Sequence, residues 1–354
     1  MGIYLFLLFL LLLFYLVKGN NNSFGFVLFV VIVFILVSAL RSETVGIDHI
    51  GYKRGFEYDL RFDTFAGHLF KWDVGWLLLN YIVMFLHDSW FVMLVIIAIL
   101  TVYPMYYVFK KYTPDPLFAM LIYFLLYSYI LSFSLIKQSV AISWVVLALY
   151  FFNNQKNFKS LFCGIVACAI HYSTLFFLPV AFIAAKVKIK RKFVIPILAS
   201  TFLFGLFSSQ SSLVSNLISL LPFEKYANYS DYKADVVVNQ FYSYLYILPK
   251  NIFCILIFYH LQGSIYSFFK NILFFNLVIA NLFYTSIPLI SRFVLYGFQI
   301  EILLLVYYTY QFNGEKHKLA KLSVFVYSFF YFAYNLMTNR GGVIPYDFDL
   351  NVFL

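Results

Sequence analysis

The sequence predicts an all-α polytopic integral membrane protein. It should have about 12 transmembrane helices and a long external loop carrying a short re-entrant or interfacial helix. Three observations predict this. Of the 354 residues, 63% are hydrophobic and only 11% are charged, against about 45–50% and about 25% in ordinary globular domains. Apolar runs such as Ile3–Val17 and Phe24–Leu40 continue without period-2 alternation, which excludes a β-barrel. The charges that remain are lopsided, 25 Lys plus Arg against 15 Asp plus Glu, for a net +10. The same composition excludes a disordered chain and a water-soluble fold of this size.

A span needs about 20 apolar residues. In chain order the spans fall at about 3–17, 24–40, 90–109, 117–133, 138–152, 158–170, 172–185, 193–208, 245–262, 271–287, 292–310 and 320–337. The first is read as a retained span and not a cleaved signal, because Lys18 follows the apolar run and no basic residue precedes it. Arg41 closes the second span and Lys110 with Lys111 closes the third. The stretch Trp72–Leu86 is apolar but short, bracketed by Lys71, Asp73, His87 and Asp88. It is therefore read as a non-crossing helix. No internal repeat or low-complexity tail appears, so residues 1–354 form one transmembrane domain with external loops at about 41–89 and 209–244. Cys163, Cys168 and Cys254 sit singly in apolar runs and read as small core residues.

Basic residues mark the cytoplasmic side of a membrane protein. One side holds Lys18, Lys110, Lys111, Lys156, Lys159, Lys186–Lys192, Lys270 and Lys316–Lys321, in all 14 basic residues against Asp115 and Glu315. The other side, holding the loops at 41–89 and 209–250, has 11 basic and 12 acidic residues. The sides alternate through twelve spans only if Trp72–Leu86 does not cross. The basic side is then cytoplasmic and both termini are external. The net charge orients the bundle and implies no nucleic-acid partner, since no basic stripe with interleaved aromatics occurs.

Candidate chemistry gathers on the external side. Arg41, Gly46, Asp48 and Tyr52 form R-x4-G-x-D-x3-Y. A guanidinium there can grip phosphate in two-pronged fashion, and a carboxylate seven residues on can take a hydroxyl proton. The bland alternative is an interfacial arginine paired with an acidic loop residue. Ser134, Lys137, Gln138 and Ala141 fall on one helical face; Lys137 and Gln138 suit a phosphate or sugar, or Lys137 simply snorkels. His171, read as the one histidine embedded in the external half, can act as a general base or as a structural hydrogen-bonding residue. Arg292, Tyr296 and Gln299 form a polar stripe at i, i+4 and i+7, and intramembrane ionisable groups usually face a cavity. Glu301 falls off that stripe and should bond a neighbouring helix. Asp347-Phe348-Asp349 matches a short DxD pattern, a weak metal–nucleotide signal. No metal-ligand spacing and no phosphate-binding glycine loop is present.

Taken in order, these pieces resemble the EpsG-like branch of the Wzy-type polysaccharide polymerases. The matching segments are Arg41-x4-Gly46-x-Asp48-x3-Tyr52, Val74-Gly75-Trp76-Leu77-Leu78-Leu79-Asn80, Lys137-Gln138-x2-Ala141, His171-Tyr-Ser, Arg292-Phe-x2-Tyr296 and Pro345-Tyr346. Two positions depart from the family's usual pattern: Lys137 stands where an Arg is more common, and Asp73 where a Glu is.

The resemblance implies a GT-C-like bundle in a bacterial cytoplasmic membrane. It would polymerise polyprenyl-pyrophosphate-linked oligosaccharide repeat units into O-antigen, capsule or exopolysaccharide at the external face, with no cofactor. Catalysis would fall to Asp48 or His171 as base and Arg292 on the leaving group. Arg41, Tyr52, Lys137, Gln138, Tyr296 and Gln299 would bind substrate. Partners would be the lipid-linked glycan, the bilayer, and a flippase and chain-length regulator of the same pathway. The alternatives are a flippase or transporter of lipid-linked glycan, a single-addition glycosyltransferase or ligase, and an acyltransferase using His171.

Overall fold

The computed structural model describes residues 1–17, 24–62, 72–208, 240–263, 266–284 and 288–349. Lys18, Lys71 and most of the expected external loop at 209–244 lie outside the described residues. The described backbone is helical, with one isolated antiparallel bridge between Arg41 and Phe348. The long apolar runs account for this, because a helix satisfies its backbone N–H and C=O groups within one segment. The helices are α1 (Gly2–Val17), α2 (Phe24–Ala39), α3 (His49–Arg54), α4 (Val74–His87), α5 (Trp90–Tyr112), α6 (Pro116–Leu125), α7 (Ser128–Leu131) and α8 (Ile136–Asn153). They continue with α9 (Asn157–Ile170), α10 (Thr174–Lys186), α11 (Val194–Ser208), α12 (Gln240–His260), α13 (Ser267–Phe283), α14 (Pro288–Thr309) and α15 (Gly314–Met337). Among the described residues, four stretches are long and apolar enough to cross a membrane by length and composition: α5, α8, Ile290–Thr309 of α14, and α15. Several shorter apolar helices accompany them. The protein is membrane-embedded.

Packing divides the chain into two compact units: Met1–Leu175 with Phe312–Leu354, and Phe176–Gln311. In the first unit α8 packs on α9 and α5, and α2 packs on α5. At one end of this unit Lys321 donates to the Tyr15 hydroxyl at 2.9 Å and lies 3.4 Å from Asp115. Asp115 also caps α6 by accepting the Phe118 N–H at 3.1 Å. At the other end the C-terminal segment lies against the loop after α2. Ser42 N–H donates to the Asp347 carbonyl at 2.8 Å, Asp349 N–H to Leu40 at 2.9 Å and Gly46 N–H to Gly342 at 2.9 Å. Tyr4 and Tyr346 add hydroxyl bonds to the carbonyls of Val343 at 2.8 Å and Val37 at 2.6 Å. Asp347 and Asp349 thus serve the strap through their backbone. Within this unit, Lys321 lies in the first half of α15 and the C-terminal strap follows its last residue.

Helix α4 starts and ends among residues of the 41–89 connection. Asp73 precedes it, and Asp88 just beyond it accepts from Arg61 at 2.6 Å. Trp90, which opens α5, donates its indole N–H to His49 Nε2 at 2.9 Å. That bond leaves the His49 proton on Nδ1, facing the Val45 carbonyl at 3.3 Å. Burial, then the nearby Arg41 charge, push the His49 imidazole down to about 3. His49 is only 1% exposed, so the reading of His171 as the one embedded histidine is corrected. The 41–89 loop folds inward and buries its own histidine.

Two further expectations change. The span at 117–133 is broken: α6 ends at Leu125 and Tyr127 adopts a left-handed φ of 66°. Tertiary bonds hold the break, with the Tyr127 hydroxyl donating to Arg340 at 3.2 Å and the Tyr129 hydroxyl to Phe34 at 2.7 Å. Ser134 therefore lies in the turn before α8 and not on the helical face of Lys137.

In the second unit α13 packs on α11, α12 and α14. Lys250, counted above with an external loop, lies inside α12 and pairs with Glu301 of α14 at 2.7 Å. Glu301 thus bonds a neighbouring helix, as expected. Asn251 and Asn281 exchange two amide bonds of 2.9 Å beside it.

Candidate functional site

Three helix ends in the first unit converge on one carboxylate, that of Asp73. It stands at the N-cap of α4. Its Oδ2 forms an ion pair with Lys137, in the first turn of α8, and lies 3.4 Å from Nδ1 of His171, which ends α9. Its Oδ1 faces the Tyr172 N–H at 3.4 Å, while the Tyr172 hydroxyl accepts the Val74 N–H at 3.2 Å. The three side chains are 11%, 13% and 23% exposed, shielded but reachable.

Two glycines bring these ends together. A Cβ on Gly75 would come within 2.7 Å of the Ala169 backbone, so only glycine lets α4 abut the end of α9. Gly46 has φ +100°, and a Cβ there would overlap the Phe133 carbonyl. It presses the loop after α2 onto the turn that launches α8 and Lys137.

Electrostatics set the charge of Asp73. Burial pushes the Asp73 carboxyl up. The His171 bond and the Lys137 charge outweigh burial and hold it below the ordinary carboxylate range. Asp73 is therefore an anion at neutral pH, held beside one ammonium and one imidazole. An ionised carboxylate on Nδ1 selects the tautomer whose basic nitrogen is Nε2.

The other expected residues divide by location. Tyr52 lies 5.8 Å from the ring of Trp72, the residue before Asp73, and 5.1 Å from that of Trp76. Asp48 occupies the N-cap of α3 and is part-exposed. Gln138 is buried beside Lys137 at the start of α8. Arg41 is 1% exposed, bonded to the carbonyl and hydroxyl of Ser38 and lying 5.2 Å over the Phe133 ring. Among the described residues its Nε has no partner and it forms no ion pair, so the acidic partner of the bland reading is absent there. Burial pushes its guanidinium down to about 10, which still leaves it charged at neutral pH. In the second unit Arg292 is exposed on α14, Tyr296 is buried and stacked on Phe177 at 5.6 Å, and Gln299 is buried.

Asp73 was not among the candidate residues read from the sequence. Its signal was present: Asp73 and Lys137, the two departures from the usual polymerase pattern, are the two ends of one ion pair.

A family model matches residues 24–348, and it is that of the EpsG family. The chain belongs to the EpsG family. Members of this family are Wzy-type polymerase-like, and the match spans Arg41, Asp48, Tyr52, Asp73, Lys137, Gln138, His171, Arg292, Tyr296 and Gln299. No curated protein and no solved structure matches the chain.

Proposed function

We propose that this EpsG-family chain polymerises polyprenyl-pyrophosphate-linked oligosaccharide repeat units into a surface polysaccharide. It would do so from a bundle of about twelve spans in a bacterial cytoplasmic membrane, with Asp73, Lys137 and His171 at its external face. The observation that carries the reading is the single carboxylate shared by an ammonium and an imidazole, in a chain of this family.

In the reaction His171 Nε2 takes the proton of the acceptor hydroxyl. The freed oxygen pair forms the new bond to the anomeric carbon of the donor. The bond from that carbon to the pyrophosphate oxygen breaks, and polyprenyl pyrophosphate leaves with its electron pair. Asp73 orients the imidazole and stabilises the imidazolium that forms, as the carboxylate of a catalytic triad does. Lys137 sets a positive charge against the departing phosphate oxygens. Asp48 is the alternative base. Arg41, sealed under the C-terminal strap, acts as a clamp on the loop that carries Asp48 and Tyr52. For Arg292 the proposal is a phosphate-facing role on α14, with Tyr296 and Gln299 on the same stripe.

The test is complementation of a deletion strain. His171→Ala and Arg292→Ala should each leave single repeat units on the lipid carrier and no long polymer, at normal protein levels. Long polymer persisting in the His171→Ala strain would defeat the base assignment, and in the Arg292→Ala strain the leaving-group assignment.

The buried Lys250–Glu301 pair favours a second reading, a transporter of lipid-linked glycan, because intramembrane ionisable pairs often mark transport pathways. Loss of a transporter would leave no repeat units exported, so the same gels separate the two.

A further inference from the structure

We propose that Trp72 is a glycan-stacking subsite, with Tyr52 as its support, holding a pyranose ring of the substrate against the Asp73 cluster. The proposal rests on the polymerase reading and names how its sugar is held.

Trp72 immediately precedes Asp73 and remains part-exposed, whereas Trp76 and Trp90 are 1% and 8% exposed. Its indole is fixed from two sides. Tyr52 lies 5.8 Å away, and Tyr52 is itself set edge-on to Trp76 at 5.1 Å. Gly55 forms a floor: a Cβ there would stand 3.0 Å from Cζ2 and 3.2 Å from Cη2 of the indole. Gly55 also opens a π-helical turn, Gly55–Asp59. Such turns are rare, and they recur at functional sites. The Lys137 ammonium lies 5.9 Å from the indole centroid, which ties the ring to the charged cluster.

A pyranose has an apolar face of C–H groups and a rim of hydroxyls. A rigid, flat indole suits the face, and large aromatic rings give much contact area for little lost freedom. The Asp73 oxygens one residue on, with the Lys137 ammonium and the His171 ring held against them, suit the rim. A few polar groups beside an apolar wall are what orient a small ligand. An indole serving only as an interfacial anchor needs neither the glycine floor nor these neighbours.

The test uses the full-length protein in lipid nanodiscs. The probe is the free oligosaccharide released by mild acid from lipid-linked repeat units that accumulate in the deletion strain. Calorimetric titration should show Trp72→Ala and Trp72→Leu weakening binding about tenfold or more, with Trp72→Phe retaining most of it. In polymerisation assays the same variants should raise KM far more than they lower kcat. Leucine keeps apolar bulk without a flat face, so it decides the matter if the alanine variant does not fold. Wild-type affinity in Trp72→Leu would overturn the subsite and leave the polymerase reading intact. No binding by the wild-type protein, together with no consumption of lipid-linked repeat units, would overturn both.

Discussion

Asp73 and Glu301 each hold a lysine, in different units of the chain, and the two pairs are built differently. The Glu301–Lys250 pair bridges two helix interiors with side chains 1% and 4% exposed. The Asp73–Lys137 pair joins helix ends, stays partly open at 11% and 13%, and takes His171 as a third member. The sealed pair ties α12 to α14, and its burial makes it costly to break from one side. A part-open pair with an imidazole can move a proton and face a charged leaving group. What distinguishes the proposed site from the sealed pair is a partner shared at converging helix ends, not burial.

Removing the open cluster's imidazole should give the largest functional effect. His171→Ala should lower the polymerisation rate on the order of 10²–10⁴-fold, with the thermal unfolding midpoint nearly unchanged. Breaking the sealed pair should do the reverse. Glu301→Ala should destabilise the protein by about 3–5 kcal/mol, because it removes the carboxylate that the buried Lys250 pairs with. The double replacement Lys250→Met with Glu301→Leu should restore most of that loss. Thermal unfolding in detergent measures both variants.

Next in size is coupling within the open pair. Asp73→Glu or Lys137→Arg alone should misplace the ion pair and reduce activity by about tenfold, while the double variant should recover it. Additive losses, read as polymerisation rates of the four proteins in a double-mutant cycle, would show that the two side chains act separately.

The smallest effects are in pH dependence. His49 and Asp73 both have folded-state pKa values below their unfolded ones. Each therefore contributes stability that is present above the unfolded pKa and lost as pH falls through the folded value. For His49 the window runs from about 6.5 down to about 3. For Asp73, held below the ordinary carboxylate range, it opens only under about 3.9. Unfolding temperatures should thus fall between pH 7 and pH 5 in the wild type. They should fall less in His49→Gln, where the amide keeps an acceptor for Trp90 without titrating.

Much of the helical layout was legible because apolar runs bounded by lysine and arginine have one reading. Helices α1, α2, α8 and α9 start and stop within about two residues of the sequence-based spans. The break at Tyr127 was not legible, since it depends on bonds to Arg340 and on the neighbouring Tyr129–Phe34 contact, both remote in sequence. The site was legible in part. Lys137 and His171 stood out as polar residues at the ends of apolar runs, but the carboxylate between them lies 64 and 98 positions away. Arg41 was read as open to phosphate because it follows an apolar run. The C-terminal strap that buries it comes from some 300 residues downstream. Lys250 was counted with the external loop although the span read at about 245–262 contains it, and Glu301 of α14 gives it a partner inside α12.

The most direct test of the Asp73-centred site is the initial rate of glycosidic bond formation. It should be measured with purified protein and lipid-pyrophosphate-linked repeat units, comparing wild type with Asp73→Asn. The amide keeps the size of Asp73 and removes its charge. The account predicts a loss of two or more orders of magnitude with an unfolding temperature close to wild type. A rate within a few-fold of wild type would contradict it.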